Sequence, residues 1–137
     1  MASNTQEAVA NKNTGTRVIL VVEDEETISD FIVRLLEQET PYKPLSVLNA
    51  IQALELVDVI KPDLFMLDYR LPGINGMELF DRLHVKRGLE AVPALMFSAN
   101  APSQKALEDR HIPFLLKPFD LDDLLQIVEQ LLMQSER

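Results

Sequence analysis

The chain has 137 residues, 47% hydrophobic and 26% charged, which suits one globular domain that can bury a core without staples. Its formal net charge of −9 argues against nucleic acid or an anionic membrane as the main partner, since both reward clustered Lys and Arg. With no cysteine, disulfides and thiol chemistry are excluded, and no apolar run approaches the ~20 residues that span a bilayer.

Residues 1–16, MASNTQEAVANKNTGT, lack the apolar core of a signal peptide and read as a flexible polar tail. A cytoplasmic location is the expectation. One domain over 17–134 follows, with 135–137 as a short end. RVILVV (17–22) is β-branched and apolar throughout, the pattern of a strand buried on both faces, and Glu23-Asp24-Glu25-Glu26 ends it. Ile28, Phe31, Ile32, Leu35 and Leu36 then predict one buried face of a helix, stopped by Thr40-Pro41. Leu45–Leu48 is a weaker strand beside Pro44, placed near an edge. Ala50 to Ile60 predicts a second helix, with Ala50, Ala53, Leu54, Val57 and Ile60 inward.

Leu64-Phe65-Met66-Leu67 is too short and too apolar for a helix and predicts a central strand. It ends at Asp68, and Leu71-Pro72-Gly73 and Asn75-Gly76 then turn the chain. A third helix is expected over Asn75 to Lys86 through Met77, Phe80 and Leu83. Pro93–Phe97 is a fourth strand ending at Ser98. Asn100 to Arg110 offers only Ala106 and Leu107 to a core, so the fourth helix is short and poorly anchored. Ile112–Leu116 is a fifth strand ending at Lys117-Pro118. Asp120 caps a last helix with a stripe of Leu121, Leu124, Leu125, Val128, Leu131 and Leu132. His84 and His111 read as surface residues. The alternation of five strands and five helices predicts a parallel α/β sheet with helices on both faces.

In such a sheet all strand exits lie along one edge, where open α/β sheets bind ligands. Glu23, Asp24, Asp68, Ser98 and Lys117 should therefore converge. Clustered carboxylates repel unless a cation joins them, and hard oxygen ligands favour Mg²⁺. A carboxylate there can act as a nucleophile and form an aspartyl-phosphate, while a lysine and a hydroxyl neutralise the phosphoryl oxygens. Each residue has a duller reading: the acidic run as a helix's first turn, Asp68 as a loop cap, Lys117 as a solvated side chain. Their common edge favours the sharper one.

VVED (21–24), MLDYRLPGINGMEL (66–79), SA (98–99) and FLLKPF (114–119), in that order, resemble the receiver domains of two-component response regulators over residues 17 to 134. The resemblance implies a flavodoxin-like (βα)5 fold of order 2-1-3-4-5. It implies Asp68 as phosphoacceptor and a Mg²⁺ site of Asp24, Asp68 and the Arg70 backbone carbonyl, with Glu23 acting through water. It also implies Ser98 and Lys117 at the phosphoryl group, a Lys117-Pro118 peptide that is often cis, and Ser98 and Phe114 as switch residues. Tyr69, Arg70 and Asn100 stand where relatives tune dephosphorylation. The implied partners are a histidine kinase or histidine phosphotransfer protein upstream and a protein partner on the face of the fourth helix, fifth strand and fifth helix. The protein would be a monomer or a phosphorylation-dependent dimer.

The sequence departs from the family in three places. Glu23 stands where Asp is usual, the Ser98–Lys117 segment is about three residues short, and Arg110-His111-Ile112-Pro113 replaces a Gly-Ala turn. Because the chain stops after the last helix, output is expected to pass through a partner protein. A Mg²⁺-dependent phosphohydrolase of the haloacid dehalogenase type would need Asp two places after the nucleophile, where Arg70 stands. A phosphorylation-independent binding module is the other alternative; it would be favoured by a missing acid, acceptor or lysine, and none is missing.

Overall fold

The computed structural model describes residues 15–135. Most of the expected tail, residues 1–14, and the last two residues lie outside them. The elements in order are β1 (Val18–Val22), α1 (Glu26–Glu39), β2 (Lys43–Val47), α2 (Ala50–Leu56), β3 (Leu64–Asp68), α3 (Gly76–His84), β4 (Ala94–Ser98), α4 (Gln104–Asp109), β5 (Phe114–Leu116) and α5 (Leu121–Ser135). All strand pairings are parallel and the order is β2-β1-β3-β4-β5, the doubly wound flavodoxin-like fold. Among the described residues no helix is long and apolar enough to cross a membrane.

Two-sided burial explains why the central strands are apolar without alternation. Ile19 to Val22 and Leu64 to Leu67 have no accessible surface. Leu20, Val22, Phe65, Leu67 and Met96 pack with Ala50 and Ala53 of α2, Met77, Leu79, Phe80 and Leu83 of α3, and Leu107 of α4. Ile19, Val21, Leu64, Met66, Leu95 and Phe97 point the other way, onto Ile32 and Leu36 of α1 and Leu124, Val128, Leu131 and Leu132 of α5. β2 is an edge strand, as expected, but it begins at Lys43 and takes in the buried Pro44. A missing N–H is tolerated there because one side of an edge strand has no ladder partner.

Several expectations need correction. Phe31 is 51% exposed. It sits about 100° from Ile32 around α1, so the buried stripe centres on Ser29, Ile32 and Leu36 and leaves Phe31 outside. α2 ends at Leu56, not Ile60, because Asp58 and Val59 donate to the carbonyls of Glu55 and Leu56, tightening the chain into turns. α3 ends at His84, not Lys86. α4 starts only at Gln104, since Ser103 caps it by accepting from the Ala106 N–H at 3.2 Å. β5 starts at Phe114, and Leu121 lies at the margin of the α5 stripe, 37% exposed.

Candidate functional site

The parallel register decides which side chains meet. Val22 pairs with Leu67, so the next residues, Glu23 and Asp68, leave the sheet at one level. Asp68 pairs with Phe97 and Ser98 with Leu116, so Ser98 and then Lys117 leave one step further along on each strand. Glu23, Asp24 and Asp68 each offer a carboxylate oxygen, all within 4.8 Å of one another. Asp24, Asp68, Arg70, Ser98 and Lys117 line one open cavity of about 540 Å³. The convergence expected from the strand ends is therefore present.

The loop after β3 aims the central acid. Asp68 Oδ1 accepts the Arg70 N–H at 2.9 Å, and Oδ2 accepts from Lys117 Nζ at 3.3 Å. Pro72-Gly73 makes the turn, with Gly73 at φ +84°, a conformation glycine adopts without strain. The loop closes where the Gly76 N–H donates to the Tyr69 carbonyl at 2.8 Å. A Cβ at Gly76 would lie 2.5 Å from the Asp68 carbonyl oxygen, so only glycine lets α3 begin this close to the acceptor. Asn75 Oδ1 caps that helix by accepting the Glu78 N–H at 2.8 Å.

Glu23 and Asp24 divide their work. Asp24 is exposed, whereas Glu23 is fully buried. Glu23 Oε1 accepts from Lys117 Nζ at 3.0 Å and Oε2 accepts the Glu25 N–H at 3.0 Å. Burial pushes the Glu23 carboxyl up to about 7; those two hydrogen bonds pull it back only in part, and nearby Asp68 adds to the rise. Burial also opposes the charge on Lys117, but the Glu23 hydrogen bond and the negative field of Asp68 and Glu23 win, and its pKa is raised. Lys117 Nζ also lies 5.2 Å from the Phe97 ring centre. One ammonium thus serves two acids, Glu23 and Asp68.

That donor set fits Mg²⁺: hard carboxylate oxygens, one of them exposed to the cavity, with more negative charge than Lys117 can balance. Ser98 is buried at the end of β4, and Arg70 is exposed at the cavity wall. Phe114 is half-buried at the start of β5 against the α2–α4 side of the core, apart from the cavity lining. Lys117-Pro118 is cis. Tyr69 is half-buried and Asn100 exposed.

Two residues were misread or overlooked in sequence. Gly76 read only as a turn; the signal was its place eight residues after Asp68 at a helix start. His84 is no plain surface residue: its Nε2 lies 2.7 Å from the Val92 carbonyl oxygen and its ring stacks 3.9 Å from Phe80. His111 is exposed, as expected.

The model of the response regulator receiver domain family matches residues 19–129. Among curated proteins, the chain is 34% identical over 117 residues to a positive alginate biosynthesis regulatory protein of Pseudomonas aeruginosa, covering 82% of this chain and 46% of that protein. It is 28% identical over 115 residues to sporulation initiation phosphotransferase F of Bacillus subtilis, covering 83% of this chain and 92% of that one. It spans about half the length of the first of these curated relatives and nearly all of the second. Among solved structures, a response regulator receiver domain protein of Methanospirillum hungatei aligns with TM-score 0.80 at 25% identity, covering 89% of this chain and 98% of that one.

Proposed function

The chain belongs to the response regulator receiver domain family, and from that premise we propose that it accepts one phosphoryl group on Asp68 from a histidine kinase or a histidine phosphotransfer protein. The observation that carries this reading is the approach of the Glu23, Asp24 and Asp68 carboxylates within 4.8 Å, with Lys117 Nζ 3.3 Å from Asp68. An Asp68 oxygen attacks phosphorus, a P–O bond forms, and the P–N bond of the donor phosphohistidine breaks. The imidazole leaves with that electron pair. The Arg70 N–H on Oδ1 holds the carboxylate plane, while Lys117 shifts its ammonium toward the incoming oxygens and Ser98 offers them its hydroxyl.

Mg²⁺ would be held by Asp24, Asp68 and the Arg70 carbonyl, with Glu23 in support, and would supply charge neutralisation to the transferring group. Beyond accepting the phosphoryl group and releasing it to water, the protein is proposed to catalyse nothing. The haloacid dehalogenase-type alternative lacks its second acid, because Arg70 is there. Phosphorylation would change Ser98 and Phe114 and with them the α4-β5-α5 face, which signals to a partner protein in the cytoplasm, as a monomer or a phosphorylation-dependent dimer. Mg²⁺ titration followed by amide NMR tests the metal half. Shifts should centre on residues 23–24, 68–70 and 117, and Asp24→Asn should weaken binding about tenfold or more. Equal binding by Asp24→Asn would remove that ligand assignment.

A further inference from the structure

Helix α3 touches the acceptor at one end and α4 near the other. At its N-terminus a Gly76 Cβ would be 2.5 Å from the Asp68 carbonyl oxygen and 3.0 Å from Tyr69 Cα. With the Gly76 N–H also bonded to Tyr69, the helix start cannot shift without moving the Asp68–Tyr69 peptide. Five residues later, Asp81 receives both arms of one guanidinium: Arg110 Nε donates to Oδ1 and Nη2 to Oδ2, each at 2.8 Å. The third arm, Nη1, donates to the Ala106 carbonyl at 3.0 Å and so completes the end of α4. Ile112 N–H to the Leu107 carbonyl and His111 N–H to that of Glu108 close the same terminus.

α4 has little else to hold it. Of its six residues only Leu107 is buried. A planar fork on a carboxylate fixes direction as well as distance, which a single lysine contact would not.

We propose that the Asp81–Arg110 clamp couples α4 to the phosphoacceptor through α3, so that a change at Asp68 reaches α4 along this helix. The meaning of that change rests on the phosphoacceptor reading, but the coupling can be tested without it. The experiment is a cycle of Asp68→Asn, Asp81→Asn and the double variant in the full chain, read by hydrogen exchange at the Leu107 and Ile112 amides. Amides of β1 serve as the control for an intact fold, and Arg110→Gln repeats the cycle from the other partner.

Asp68→Asn should change α4 exchange by about fivefold or more when the clamp is intact and much less when it is broken. Additive effects, or a change from Asp68→Asn that survives both clamp variants, overturn the proposal. A beryllofluoride–Mg²⁺ acyl-phosphate mimic, applied afterwards, separates the two ideas. A non-additive cycle with no response to the mimic would keep the coupling and sink the phosphoacceptor reading.

Discussion

At Glu23 the fold buries a carboxylate completely and gives it part of one ammonium, Lys117, which Asp68 also engages. Its folded pKa, raised to about 7 from 4.5, sets the sign of a pH effect. Between those values the unfolded chain has lost the proton that the folded chain keeps, so this group's contribution falls as pH rises and levels off above about 7. Metal-free native protein should thus lose stability relative to Glu23→Gln across that window, as urea midpoints at several pH values would show. A difference independent of pH would mean that Glu23 is ionised throughout. Gly76 acts by what it lacks. Gly76→Ala should cost about 1–3 kcal/mol in urea unfolding through overpacking against the Asp68 carbonyl, and should shift the Tyr69 and Arg70 amides. A neutral substitution would show that the loop yields.

Helix α4 is the element where sequence and structure diverge most usefully. Too few apolar positions correctly announced a weak helix, but the clamp from Arg110 to Asp81 spans 29 residues and has no local pattern to betray it. The helix closes with His111 at φ +57°, a left-handed position usually filled by glycine. His111→Gly should therefore stabilise the protein by about 0.5–1 kcal/mol, measured by urea denaturation, because the strain removed exceeds the added freedom of the unfolded chain. A loss of stability would mean that the His111 side chain makes a contact worth more than the strain. The misplacement of Phe31 has a simpler cause. Spacing identifies a stripe on α1 but not its edge, and which flank is covered depends on helices far away in sequence.

The central strands were legible because they are apolar without alternation and each ends abruptly in a polar residue, whereas the strand order came from the family resemblance. Those exits located Glu23, Asp24, Asp68, Ser98 and Lys117 before any geometry was known. What remained hidden was set by register and depth: that Glu23 is buried and Asp24 exposed, although they are neighbours, and that Gly76 lies against Asp68. Parallel pairing then brings four strand exits together around one acidic cavity, with the Lys117 ammonium held by Glu23 and Asp68. The most direct test of that arrangement is intact mass after incubation with a small-molecule phosphodonor, with and without Mg²⁺, on native protein and Asp68→Asn. One added phosphoryl group that requires both Mg²⁺ and Asp68 is the predicted result. No adduct on the native protein, together with no binding of an acyl-phosphate mimic, would contradict the account and leave a receiver fold that works without phosphorylation.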